Sequence, residues 1–282
     1  MSCYAHPSKA VLRRPVEPGQ QFRDMYLSTW QLLPTNRVVG ALLPNDADGQ
    51  AFGQHLVPEL VRGGFKVVTA AGYADGTADF SSQIARFKAA GVEILTGVPL
   101  PNDFAAFIRQ AAQQGLAQRL RIVTPAKVCL FPADVRALGE LGIGITTSDS
   151  WSPAYPYRSP VSGIGGQELA VRYEQHARRP WTQLLGGTMS LFDVGLAALH
   201  ASGSPKSRQA VAKAIANLDT PTIVGRVNFR SGPVPNVATT PLVSAQWHLP
   251  TARTGHDLEY LTVEHACDPN VHIQAKLARY RL

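Results

Sequence analysis

The chain has 282 residues, of which 45% are hydrophobic and 17% charged, and it carries a formal net charge of +7. This composition allows a sizeable buried core and is typical of a globular protein with one large domain or two smaller ones. No run of about 18 uninterrupted apolar residues occurs, so a membrane span is not expected. The first residues lack the apolar segment of a secretory signal, and taken literally they predict a cytoplasmic chain.

Basic residues and cysteines indicate neither a nucleic-acid interface nor a metal site. Lys and Arg are scattered, with no basic run longer than a pair, which favours a generally basic surface. The three cysteines, Cys3, Cys129 and Cys267, are far apart and odd in number. We therefore expect neither a disulfide framework nor a cysteine-based zinc site, and no cofactor.

Residues 36–151 alternate between two patterns. Five short runs rich in β-branched residues, RVVGALLP, FKVVTAA, VEILTGV, LRIVTPA and IGITTSDSW, are typical of strands buried on both faces. Between them, apolar residues recur three and four apart, as in helices. The helical patterns close on Gly63, Gly91, Gly115 and Gly142. Asp79, Asn102 or Asp103, and Asp134 stand where N-caps are expected. The alternation predicts a doubly wound parallel sheet of five strands.

The pattern changes after residue 151. A proline-rich segment comes first, and residues 160–217 then show mainly helical periodicity. Three strand-like segments, TIVGRVNF, TTPLVSAQWH and LEYLTVEH, follow near the end. This part contains too few regular strands for a sheet of its own.

Several segments together carry a family resemblance. They are LPTNRVVGALLPNDADGQAFG, GYADGTADFSSQIARFKAAGVEIL, FIRQAAQQGL, DTPTIVGRVNF and PNVATTPLVSAQWH, in this order. With them the chain resembles the branched-chain amino acid type of ABC-transporter substrate-binding protein. The resemblance implies an α/β, type I periplasmic-binding fold, in which two lobes joined by three crossing strands close on a small solute.

The resemblance also implies a division of the chain. Residues 1–35 would be a remnant of the first lobe and the first crossing, and residues 36–151 a complete second lobe with the doubly wound parallel sheet. Residues 152–282 would return to an incomplete first lobe. Because such proteins begin with a signal peptide and most of the first lobe, the resemblance implies that this chain is truncated at its N-terminus.

The first candidate ligand contacts follow the first predicted strand. Ligands of open parallel sheets bind beyond the carboxyl ends of the strands, where Asn45, Asp46 and Asp48 stand and Gly49 turns the chain into a helix. Asp46 or Asp48 could simply cap this helix; alternatively, one carboxylate also pairs with a donor on the ligand. Relatives often carry an aromatic residue where Asp48 stands, so the resemblance does not imply simple aliphatic amino-acid specificity.

Two further loops lie at the same predicted edge. Thr96, Val98 and Leu100 are candidates after the third strand, and Thr124, Ala126 and Lys127 after the fourth. Some relatives hold the ligand's ammonium group with a carboxylate in the latter loop. Lys127 would instead favour a ligand carboxylate, unless it is an ordinary solvated lysine. Trp151, after the fifth strand, could stack on a ring or pack at the hinge.

Known catalytic motifs are missing from the sequence, which contains no nucleophile elbow, zinc-protease helix, P-loop or dinucleotide fingerprint. We therefore do not predict an enzyme. The most metal-like group is Glu264, His265, Cys267, Asp268 and His272, but a turn at the end of a strand explains it without a metal.

These observations predict the solute-binding component of an ABC importer, which captures an amino acid or a small carboxylate, aromatic ones included. Its expected partners are this solute and the permease subunits, with no nucleic acid and no direct membrane insertion. The resemblance implies a periplasmic location. The alternatives are a cytoplasmic ligand sensor of the same fold and an α/β enzyme acting on an anionic metabolite.

Overall fold

The computed structural model describes residues 20–232, 234–250 and 256–281. They form two compact units, between which the chain passes several times. Unit 1 comprises the described residues up to Asp24, together with Asp149–Val243 and His265–Ile273. Unit 2 comprises Met25–Ser148, Ser244–Glu264 and the described residues from Gln274 onward.

Unit 2 is built on a four-stranded parallel sheet. Its strands are β1 (Val38–Leu42), β2 (Lys66–Thr69), β3 (Ile94–Gly97) and β4 (Ile122–Pro125), in the order β2-β1-β3-β4. β3 and β4 are buried along their whole length, and β1 after its first residue. This burial explains why their apolar sequences do not alternate with polar residues. The predicted parallel α/β sheet is confirmed.

The fifth predicted strand does not join this sheet. β5 (Thr146–Asp149) belongs to a three-stranded sheet of order β5-β8-β9, in which β8 (Val243–His248) and β9 (Glu259–Glu264) are antiparallel. Just before β5, the Gly144 N–H donates to the Trp247 carbonyl at 2.8 Å. The prediction of five strands in one parallel sheet is therefore wrong, because pairing with the distant tail takes the fifth strand.

Six helices belong wholly or mainly to unit 2. They are α1 (Gln20–Gln31), α2 (Ala47–Ala51), α3 (Val57–Arg62), α4 (Ser81–Ala90), α5 (Pro101–Gln113) and α6 (Pro132–Leu138). A π-helical turn, Phe52–Leu56, joins α2 to α3. It directly precedes the turn that contains Pro58, whose nitrogen cannot donate a hydrogen bond within the helix.

The predicted N-caps of α5 and α6 are wrong in position, since the caps are Leu100 and Phe131. At α4 the boundary residue is Phe80, but the capping hydrogen bond comes from Asp79, as predicted: its Oδ1 accepts from Ser81 N at 2.9 Å. Prolines open α5 and α6, which places the cap one residue before each proline. Asp103 and Asp134 lie in the first turns instead, where a negative charge is favoured by the helix dipole.

Aromatic side chains dominate the core of unit 2. Phe107 packs edge-to-face against Phe80 and Phe87, with ring centroids 5.7 Å and 6.2 Å apart. Trp30 of α1 packs against Phe65 at 5.3 Å, and its indole N–H donates to Thr124 Oγ1 at 3.1 Å. Burying each such side chain stabilises the fold by about 1.5–3 kcal/mol.

Unit 1 contains three helices and a hairpin. They are α7 (Gly166–Ala177), α8 (Leu184–Ala201) and α9 (Arg208–Ala216), followed by β6 (Asp219–Thr222) and β7 (Gly225–Asn228) in antiparallel pairing. The predicted helical character of residues 160–217 and the predicted tail strands are confirmed. Trp151, Tyr155 and Ile223 lie in the hydrophobic core of this unit.

Helix α8 packs by one face and exposes the other. On the packed face Gly186 lies against the Trp151 ring, and Asp193 is fully buried, accepting hydrogen bonds from Ser159 Oγ and Ile223 N. On the other face Leu191 and Phe192 are 72% and 61% exposed. Among the described residues, α8 alone is long and apolar enough to cross a membrane by length and composition. A single helix of this kind is weak evidence for a span.

The cysteines differ from expectation. Cys129 is buried and free, whereas Cys267 takes part in a disulfide. Cys3 and the basic pair Arg13 and Arg14 lie outside the described residues. The expectation that no cysteine forms a disulfide is wrong for Cys267, because distance along the sequence does not limit distance in the fold.

Candidate functional site

The candidate residues of unit 2 follow three adjacent strands at the carboxyl edge of the parallel sheet. The loop after β1 carries Asn45 and Asp46, and Asp48 follows in the first turn of α2. The loops after β3 and β4 carry Val98 with Leu100 and Ala126 with Lys127. Hydrogen bonds tie the loops together: Val98 N donates to Leu42 O at 3.2 Å, and Ala126 N donates to Gly97 O at 2.9 Å. The sheet order therefore brings these loops side by side.

Asp46 is the N-cap of α2. Its Oδ1 accepts a hydrogen bond from Gly49 N at 2.7 Å, which satisfies one of the free N–H groups at the helix start. Gly49 is required by a close approach, because a Cβ there would overlap the Pro44 carbonyl oxygen. The capping interpretation thus applies to Asp46.

Asp48 and Lys127 form an ion pair with each other. Their side chains are 55% and 35% exposed, so the pair lies at the surface of the edge. It links the first turn of α2 to the loop after β4. Each charge is paired with the other. Lys127 therefore does not present the unpaired positive charge on which the prediction of a ligand carboxylate rested.

The two threonine candidates are part of the interior. Thr96 and Thr124 are 1% and 0% exposed. Thr96 Oγ1 donates to the Thr124 carbonyl at 2.9 Å, and the Thr124 hydroxyl bonds the Thr146 hydroxyl at 2.5 Å. These hydroxyls connect β3, β4 and β5, whereas Leu100, at 37% exposure, faces solvent.

Tyr73 is an edge residue that the sequence analysis missed. It follows β2, forms a parallel bridge with Pro44, and its carbonyl accepts from Asn45 N at 2.7 Å. Burial raises the pKa of its phenol, and the carboxylates of Asp103, Asp75 and Asp46 raise that pKa further. The only signal in the sequence was an aromatic residue placed shortly after a strand.

Acidic groups therefore outnumber basic ones around this edge. Asp46, Asp75 and Asp103 lie near enough to Tyr73 to raise the pKa of its phenol. Two basic groups at this edge already have partners: Lys127 pairs with Asp48, and Arg86 Nε donates to the Thr69 carbonyl at 2.7 Å. The Tyr73 phenol stays neutral and is a hydrogen-bond donor. The carboxylates suit a ligand group that carries positive charge, whereas the Tyr73 hydroxyl suits a ligand acceptor.

Trp151 belongs to unit 1 and is fully buried. Its ring packs against Gly186 and lies edge-to-face with Trp181, with centroids 5.9 Å apart. The structure therefore gives this side chain a packing role within unit 1.

A metal site has no support among the described residues, where no three His, Cys, Asp or Glu side chains are grouped to hold an ion. Members of the metal-like group in the tail have other contacts. Asp268 Oδ2 accepts from the Tyr157 hydroxyl at 2.6 Å, and His265 Nδ1 lies 2.6 Å from the Val271 carbonyl oxygen.

Comparison with known proteins gives a family match. A family model described as a periplasmic binding protein matches residues 34–252, which is more than half of the chain. A search of curated proteins found no match.

Solved structures share the fold at low sequence identity. An amino acid ABC transporter substrate-binding protein from Pseudomonas fluorescens Pf-5 aligns with a TM-score of 0.68 and 18% identity, over 86% of this chain and 63% of that one. A leucine binding protein from Thermotoga maritima MSB8 aligns at 0.68 and 17%, over 89% and 65%. A solute binding protein of an ABC transporter from Rhodopseudomonas palustris BisB5, in complex with 3,4-dihydroxybenzoic acid, aligns at 0.62 and 15%, over 91% and 65%. The chain spans less than two thirds of the length of these structures.

Proposed function

The chain belongs to the periplasmic binding protein family, and from this premise we propose that it is the solute-binding component of an ABC importer. Its solute is an amino acid or a small carboxylate. The structures that it resembles are substrate-binding proteins of ABC transporters. The partners are therefore the solute and the permease subunits of the importer.

The acidic edge of the parallel sheet is the observation that supports this proposal best. Edges of this kind are the usual ligand sites of open α/β sheets. Asp46, Asp75 and Asp103 provide negative charge near the neutral donor Tyr73. A ligand ammonium group would be held by these carboxylates, which favours an amino acid over a ligand that carries only a carboxylate.

The proposed mechanism is binding without chemistry. A solute held by this edge and by a second lobe favours the closed conformation by its higher affinity for that state. The permease then recognises the closed form, as in other hinge-closing binding proteins. The parallel sheet of unit 2 would supply one side of the site.

The proposed location is the periplasm. The family is one of periplasmic proteins, and Cys267 takes part in a disulfide. Disulfides persist in oxidising compartments and are rare in the cytosol. A thiol count before and after reduction tests this point, since Cys267 should react only after reduction.

Calorimetric titration tests the function directly. We expect at least one member of a panel of amino acids and aromatic carboxylates to bind. Asp46→Ala should weaken that binding by about 1.5–3 kcal/mol if the carboxylate contacts the ligand. The exposed acid Glu140, replaced by Ala, is the matched control and should leave the affinity unchanged. The proposal fails if no solute binds the folded protein.

A further inference from the structure

An open cavity of about 610 Å³ lies at the surface of unit 1. We infer that it is a second binding site, which takes a small carboxylate with an apolar body. Its volume falls within the range of about 300–1,000 Å³ that is usual for small-molecule sites. The lining includes Tyr155, Tyr157, Arg158, Gly166, Glu168 and Val171.

The ring of Tyr157 forms part of the apolar wall of this cavity and is supported from behind by Tyr155. Tyr155 is 2% exposed, and its ring lies edge-to-face with that of Tyr157, with centroids 6.3 Å apart. Protein groups engage both hydroxyls: Tyr155 donates to the Asp149 carbonyl at 2.8 Å and Tyr157 donates to Asp268 Oδ2 at 2.6 Å. The Tyr157 ring is thus held in place and offers carbon surface to a ligand.

Arg158 supplies the positive end of the cavity. Arg158 is exposed. Its Nη1 donates to the Gly163 carbonyl at 2.8 Å, which leaves other guanidinium donors for a ligand. In the part of the chain that the structure describes, no carboxylate forms an ion pair with Arg158. A guanidinium without such a counter-ion matches the planar, two-oxygen geometry of a carboxylate.

The start of α7 adds to this positive end. Gly165 is its N-cap and provides no side-chain cap, so the first N–H groups of this 12-residue helix remain available to an anion. The guanidinium carbon of Arg158 lies 3.9 Å from the position that a Cβ on Gly165 would occupy. The two sources of positive potential are therefore adjacent.

The remaining charges of the lining cancel. Glu168 and Arg172 form an ion pair with each other at 2.6 Å, so Arg158 is the lining charge that has no ion-pair partner among the described residues. One net positive charge suits a monoanion, and Glu168 disfavours a doubly charged phosphate. Together with the apolar wall, this favours a monocarboxylate with an apolar body, for which benzoate is a simple probe.

Titration of the whole chain with benzoate tests this inference, with benzylamine as the cationic probe of similar shape. We expect benzoate to bind and benzylamine not to bind. Arg158→Gln should weaken benzoate binding at least tenfold, and Val171→Trp should do the same by filling the cavity. Arg208→Gln, at the exposed start of α9, is the matched control and should leave binding unchanged. Thermal melts of each variant verify the fold.

Amide chemical-shift mapping separates this site from the sheet edge. Benzoate-induced shifts at Gly165, Gly166 and Gln167 support the inference. Shifts confined to Asn45–Gly49 and Lys127 would overturn it and assign the anion to the edge of the proposed solute site. Absence of benzoate binding to the folded protein would also overturn it, and the amino-acid titration would then decide the proposed function independently.

Discussion

The ion pair between Asp48 and Lys127 changes the chemistry that each side chain offers. The sequence shows both residues after neighbouring strands but cannot show that they meet across 79 positions. Paired, they present a nearly neutral surface to a ligand. Each becomes available only when the other is removed or displaced.

We predict that Asp48→Asn raises the affinity of the protein for carboxylate probes at the sheet edge, because it releases the Lys127 ammonium. Both side chains are partly exposed, so the pair should contribute only about 0–1 kcal/mol to stability. Denaturant melts of both single variants and the double variant measure that coupling, and calorimetry measures the affinity. Equal carboxylate affinity in Asp48→Asn and the wild type would show that Lys127 takes no part in binding.

Asp149 gives a prediction about pH. Its carboxyl is fully buried, and this burial raises its pKa to about 7, well above the unfolded value of about 3.9. The folded state therefore holds the proton more tightly than the unfolded state. Stability should fall as pH rises from about 4 to about 7 and level off above, by on the order of 4 kcal/mol for this group alone.

Asp149→Asn should remove this contribution, because the amide is neutral at every pH in the range. Melts of the variant and the wild type at pH 5 and pH 8 provide the test. Relative to the wild type, the variant should be more stable at pH 8 than at pH 5. If both proteins lost the same amount of stability between pH 5 and pH 8, Asp149 would not be the titrating group.

Sequence patterns identify elements better than they identify partners. The non-alternating apolar runs expected of strands buried on both faces identified β1, β3 and β4 correctly, because strands inside a parallel sheet are apolar along most of their length. The same criterion identified β5. It could not show that β5 lies beside Trp247 of β8 instead of joining the parallel sheet. Likewise, strand position placed Asp46 and Lys127 at the edge, while the buried roles of Thr96 and Thr124 required the fold.

Helix α8 exposes an apolar face in addition to the face by which it packs. Its apolar residues are too many for one packed stripe, and Leu191 and Phe192 are largely exposed. We predict that replacing both with Gln lowers binding of a hydrophobic dye, with a stability change within about 0.5 kcal/mol, since exposed substitutions rarely cost more.

The matched control lies on the packed face of the same helix. Ala198 is fully buried, so Ala198→Gln should destabilise unit 1 through overpacking and a buried amide. Dye fluorescence and thermal melts distinguish the two faces. If the double Gln variant were as destabilised as Ala198→Gln, the two faces would be packed equally.

The two units are each assembled from separated segments of the chain. Unit 2 needs the tail as well as residues 25–148, because Trp247 Nε1 donates to the Cys129 carbonyl at 2.7 Å and the Tyr280 hydroxyl donates to the Leu141 carbonyl at 2.9 Å. Tyr280 N also donates to the Arg121 carbonyl at 2.8 Å. No pattern in the sequence around Trp247 or Tyr280 indicates these contacts. This explains why the sequence suggested a unit of consecutive residues.

A fragment of residues 25–148 should therefore be much less stable than unit 2 within the whole chain. It lacks β8 and β9, and the Trp247 and Tyr280 side chains, 4% and 1% exposed in the whole chain, would leave apolar surface uncovered. Removing large buried aromatic groups costs about 3–5 kcal/mol each, comparable with the total stability of a small domain. Circular dichroism melts should show a weak or absent cooperative transition, restored when residues 244–281 are joined to the fragment through a flexible linker. A cooperative, stable melt of the fragment alone would mean that the parallel sheet and its helices suffice, and that the tail attaches to a unit already formed.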